Sequence, residues 1–69
     1  MILTEEEKPV VRRAVAAYLE AKKNRKGAFT GETPDEILDE LGLAPSRWAS
    51  LAAFVIEVGE NPKEHPELV

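Results

Sequence analysis

Residues 35–48, DEILDELGLAPSRW, decide how this chain folds. Just ahead of them, Thr33, Pro34 and Glu36 spell a helix start. The hydroxyl caps free N–H groups, the proline sits where no N–H is needed, and the glutamate three places after the cap reaches back. Ile37, Leu38 and Leu41 follow at helical spacing as the face to be buried. Gly42 then stops the helix, since the left-handed backbone that closes a helix costs glycine least. Pro45 opens another helix, expected to run to about Val58 and to close at Gly59.

Upstream lies a longer amphipathic helix. Thr4 with Glu7 is a capping-box pair, and Pro9 either marks the true start or distorts the first turns. Val11, Ala14, Val15, Tyr18, Leu19 and Lys22 fall on one side, with Arg12, Arg13, Ala16, Glu20 and Lys23 on the other. The cations of KKNRKG, residues 22–27, suit a helix C-terminus, and Gly27 is available to end it. AFTGE, residues 28–32, is a connector whose Phe29 is the expected anchor to the core. The expected fold class is all-α. It is a small three-helix domain over residues 1–59 with a helix-turn-helix-like corner, its helices roughly 16, 8 and 14 residues long. Residues 60–69, with two prolines and many charges, form an irregular C-terminal tail.

A chain of 69 residues is one small domain, and at this size only about 60% of the unfolded surface is buried. Surface left over on a helix is therefore a candidate for a partner. No cysteine is present, so disulfides, zinc–thiolate sites and a cysteine nucleophile are excluded. There is no membrane-length apolar run, and MILTEEEK lacks the basic start and apolar stretch of a signal peptide. A cytoplasmic protein is expected. The net charge of −4 hides a split: residues 1–27 carry seven Lys/Arg against four Glu, residues 28–69 two against nine Asp/Glu.

Ile37, Leu41, Gly42, Leu43, Trp48 and Leu51 together make a pattern over Pro34 to Ala53 that resembles the bacterial helix-turn-helix superfamily. The resemblance implies that Pro34–Leu41 is the first helix of the motif and Pro45–Val58 a recognition helix entering the major groove. Ser46, Arg47, Ala49 and Ser50 would then lie nearest the DNA. Three positions depart from the family: Leu38 where a small residue is usual, Trp48 where Val or Ile is usual, and Ala44 where Ser or Thr caps. Phosphate contacts would come from Arg12, Arg13, Lys22, Lys23, Arg25 and Lys26, two groups separated along the first helix.

The composition of the third helix points elsewhere. At about 100° per residue, Leu51, Ala52, Val55 and Val58 cluster toward the core. Phe54 lies to one side of that cluster, Ile56 and Ala49 to the other, and only Arg47, Ser50 and Glu57 leave a polar strip. A helix apolar nearly all round is buried on more than one side. A base-reading helix needs outward Arg, Lys, Asn or Gln. The leading expectation is thus a non-enzymatic protein-interaction module that self-associates as a homodimer through Phe54, Ile56 and Val58. A DNA-binding regulator is the alternative.

Other chemistry is thinly represented. Asp35, Glu36, Asp39 and Glu40 form an acidic face ordinary for a first helical turn, without the alternating oxygen loop of a cation site. His65, the only histidine, reads as an exposed tail residue, and the four glycines make no phosphate loop. No metal, no cofactor, no membrane and no small-molecule substrate are expected, and no catalytic residue is assigned.

Overall fold

The computed structural model describes residues 1–24 and 31–69. It is an all-α domain of three helices: α1 (Glu7–Lys23), α2 (Pro34–Asp39) and α3 (Pro45–Glu60), followed by two short 3-10 turns, Pro62–Glu64 and Pro66–Leu68. Each helix packs on the other two, and the second 3-10 turn closes onto α1. No helix among the described residues is long and apolar enough to cross a membrane.

The capping signals produce the elements they spell. At α2, Thr33 Oγ1 accepts from the Glu36 N–H at 3.2 Å while Glu36 Oε1 accepts from the Thr33 N–H at 3.1 Å. At the start of the chain, Glu7 N–H donates to Thr4 Oγ1 at 3.1 Å and Thr4 N–H to Glu7 Oε1 at 2.9 Å. Backbone bonds from Glu7 and Lys8 to the Thr4 carbonyl begin the ladder of α1. Pro9 therefore lies inside the helical run, and the Glu5 carbonyl that would have accepted from it belongs to an exposed residue that water can serve. Gly42 has φ of +60°, the left-handed conformation expected at the turn before α3.

The core is a single cluster: Val11, Ala14 and Val15 of α1, Ile37 and Leu38 of α2, Leu51, Val55 and Val58 of α3, and Leu68 from the tail. Leu41, expected inside α2, sits half-buried in the turn after it, while Lys22 is exposed. Trp48 packs against the cluster from the corner side, and its Nε1 is buried with no hydrogen-bond partner among the described residues.

Two expectations need correction. Gly59 does not end α3, which runs on to Glu60. A β-carbon on Gly59 would overlap Cδ1 and Cε1 of the Tyr18 ring, so the glycine is there to let α1 and α3 approach. Nor is the tail simply irregular. Its two 3-10 turns bring Leu68 to 6% exposure against the core, because an apolar residue close behind a proline-set turn can fold back where three short helices leave a gap. Gly27 and Phe29 lie outside the described residues.

Candidate functional site

Helix α3 carries all three expected interface anchors, and its two sides differ sharply. Inward, Leu51, Val55 and Val58 are at or below 1% exposure. Val58, expected as an interface anchor, is thus wholly inside the chain. The reason is its register with Leu51 and Val55, which are seven and three residues away on the same side. Phe54, the second expected anchor, is half-buried. Its ring meets the edge of His65 at 5.6 Å between centroids and 84° between planes, so the returning tail takes part of its surface. Ile56, the third, is 51% exposed.

With Ile56 on the outer side stand Ala49 and Ala53, both exposed. Positions 49, 53 and 56 are spaced by four and three, which stacks them into one strip along the helix. Ser46 and Glu60 continue it at either end, and Ser50 and Glu57 flank it. The strip is apolar in the middle, small at Ala49 and Ala53 but large at Ile56, and polar at its ends. The first N–H groups of α3 receive no side-chain cap, since Ala44 stands at that position.

The one arginine of α3 does not point at this strip. Arg47 grips Glu7 of α1 with both ends of its guanidinium, Nε to Oε2 at 2.9 Å and Nη2 to Oε1 at 2.6 Å, and Nη2 also donates to the Ile2 carbonyl at 3.0 Å. Glu7 is 4% exposed. Its carboxyl is lowered from 4.5 to about 2, first by the Arg47 hydrogen bonds and then by the Thr4 N–H, against the opposing effect of burial. The same pairing raises Arg47. A guanidinium in this role is a clamp between the start of α1 and the start of α3, and only 35% of its side chain remains exposed. Ser50 Oγ bonds back to the Ser46 carbonyl at 3.1 Å, leaving Ser46 exposed beside it.

The expected phosphate-contacting cations are similarly divided. Arg13 is bidentate to Glu40 at 3.0 and 2.8 Å, with Glu32 at 3.6 Å, which fastens α1 to the turn after α2. Glu40 is held below its ordinary carboxylate value by that arginine. Lys22 donates to Glu60 at 2.6 Å and to the Gly59 carbonyl at 3.4 Å. Tyr18 joins this second group, its hydroxyl donating to Glu60 at 3.0 Å. Burial and then the Glu60 charge raise Tyr18, while Lys22 and Tyr18 lower Glu60. Arg12 and Lys23 are exposed and make no ion pair with any described residue. Arg25 and Lys26 lie outside the described residues.

Sequence reasoning missed two roles. Glu7 was read as half of a capping box; its second duty, to a residue 40 positions away, has no local signal. His65 is no exposed tail residue: its side chain is 21% exposed, with Nε2 at 2.7 Å from Glu57 Oε2. Its position between two proline-led turns could have suggested a chain reversal onto α3. On the acidic face of α2, Glu36 serves the cap and Glu40 serves Arg13, which leaves Asp35 and Asp39 facing solvent. No family model, no curated protein and no solved structure matches this chain.

Proposed function

We propose that the protein is a small interaction module that pairs with a second copy of itself through the outer strip of α3. The observation that carries this reading is the exposed, continuous run Ala49, Ala53 and Ile56. Small residues at a helical contact let two backbones approach to about 8 Å, where side chains on both helices touch. Two copies of α3 related by a two-fold axis near Ala53 run antiparallel, since positions 46 and 60 lie seven residues either side of it. Glu60, at the end of the strip, is already held by Lys22 and Tyr18 of its own chain, so the contact is centred on the apolar middle. An isologous contact of this kind closes as a dimer rather than growing into a fibre.

The strip is modest in area, so the dimer belongs to the small, weak class of interfaces, with a Kd on the order of 100 µM. The DNA-regulator reading finds less support. The only arginine of α3 is engaged with Glu7, and Arg13 and Lys22 are engaged with Glu40 and Glu60.

A cysteine cross-link tests the proposal cleanly because the chain has no cysteine of its own. Ala53→Cys lies next to the two-fold axis, where Cα atoms of two copies fall within disulfide reach. Under mild oxidation at about 200 µM, Ala53→Cys should give covalent dimer much faster than Glu20→Cys, an exposed position on α1. Equal rates for the two variants would overturn the proposed contact.

A further inference from the structure

Where the tail returns to α3, three groups with metal-ligating atoms converge. One oxygen each from Glu57 and Glu64 and a ring nitrogen of His65 lie within 4.8 Å of one another. We propose that these three side chains form a binding site for a divalent cation of the zinc class. Of these only Glu57 borders the proposed dimer contact, and the site needs only one chain.

The geometry is close to that of a bound ion. Ligand atoms around a tetrahedral zinc at about 2.0–2.2 Å stand about 3.4 Å apart, so side-chain rotations that open the His65–Glu57 pair and draw in the Glu64 oxygen would bring the three into place. The closest pair, His65 Nε2 and Glu57 Oε2 at 2.7 Å, shares a hydrogen. An entering cation takes that hydrogen's place, Nε2 donating its lone pair to the metal while the hydrogen moves to Nδ1 or to water.

Two features distinguish the cluster from a chance gathering of surface carboxylates. The His65 ring is held edge-on by Phe54 and is mostly covered, so its nitrogen is aimed before any ion arrives. Glu57 is steadied from its own helix, where Asn61 Nδ2 donates to the Glu57 carbonyl at 3.2 Å and reaches Oε1 at 3.5 Å. Partners that fix the orientation of ligands in this way raise metal affinity. The backbone supplies the approach: Asn61 and His65 repeat the same turn, φ −131° and ψ 58° followed by φ −133° and ψ 57°, which carries Glu64 and His65 back over α3.

Imidazole with two carboxylates selects a borderline metal over magnesium or calcium, which take oxygen ligands in larger number. Three protein ligands leave one position for water. An ion there ties α3 to the tail and so holds Leu68 in place.

The experiment is calorimetric titration of the full chain with zinc chloride, with the ring resonances of the single histidine followed by NMR. The expected result is one zinc per chain with Kd on the order of 10 µM, shifted His65 resonances, and no response to millimolar magnesium. Glu64→Gln, at an exposed position, should bind at least tenfold more weakly with the fold unchanged by circular dichroism. Absence of zinc binding at 1 mM, unmoved His65 resonances on binding, or equal affinity in Glu64→Gln would each overturn the site.

Discussion

The two sides of α3 are built from similar materials and do opposite things. Inward, Leu51, Val55 and Val58 are fully buried, Gly59 lies against the Tyr18 ring, and Arg47 is locked to Glu7 at the edge. Outward, Ala49, Ala53 and Ile56 are just as apolar but touch solvent. Hydrophobicity alone therefore does not tell the sides apart. What separates them is commitment: the inward side is packed into one core with α1, α2 and the tail, whereas Ala49 and Ala53 are exposed and Ile56, beside Tyr18, Thr33 and Pro34, keeps about half its surface open. Substitutions should accordingly change folding on one side and association on the other.

The largest effect is expected at the clamp. Arg47→Ala leaves the Glu7 charge buried and unpaired, which costs about 3–5 kcal/mol. That is comparable to the entire stability of so small a core, so urea melts should show a chain largely unfolded at room temperature. A melt within 1 kcal/mol of wild type would place the clamp outside the structural economy of α3. The pH dependence has a definite sign. Because folding lowers the Glu7 carboxyl from 4.5 to about 2, the unfolded chain takes up this proton first. The stabilisation is complete above about pH 5 and is lost as pH falls toward 2, by about 3 kcal/mol in all. Glu7→Gln should flatten that part of the stability–pH curve.

Smaller effects come from close packing. Gly59→Ala gains about 1 kcal/mol of helix propensity but drives a methyl into the Tyr18 ring, an overpacking cost of about 1–3 kcal/mol. A net loss of about 1 kcal/mol is expected in thermal melts, and in a Tyr18→Ala background the same Gly59→Ala change should cost nothing further. If Gly59 were only a helix stop, the single substitution would instead be neutral or stabilising. The smallest change in stability, within about 0.5 kcal/mol, is expected for Ile56→Asp on the outer strip.

Much of this architecture could be read from residues alone. Thr33, Pro34, Glu36 and Gly42 act within a few residues of themselves, so their local chemistry fixes α2 and its turn whatever the rest of the chain does. The periodicity of Val11, Ala14 and Val15 likewise determines which side of α1 is buried. Roles set by distant partners were not legible. Arg47 looks like a free cation until Glu7, 40 residues earlier, is beside it. Gly59 looks like a stop until Tyr18 fills the space a side chain would occupy, whereas the burial of Val58 is legible in its register with Leu51 and Val55 although it also reads as an interface anchor. The tail followed the same rule: Leu68 and His65 gain their places only through contacts with the core and with α3.

The central claim, that the outer side of α3 is a contact surface between copies, is tested most directly by sedimentation equilibrium of wild type and Ile56→Asp between about 10 and 500 µM, a range spanning the expected Kd. The account predicts a wild-type mass that rises from one chain toward two across that range, and an Ile56→Asp variant that remains at one chain with an unchanged melting curve. A wild type that stays monomeric throughout, or a variant that dimerises equally well, would contradict it.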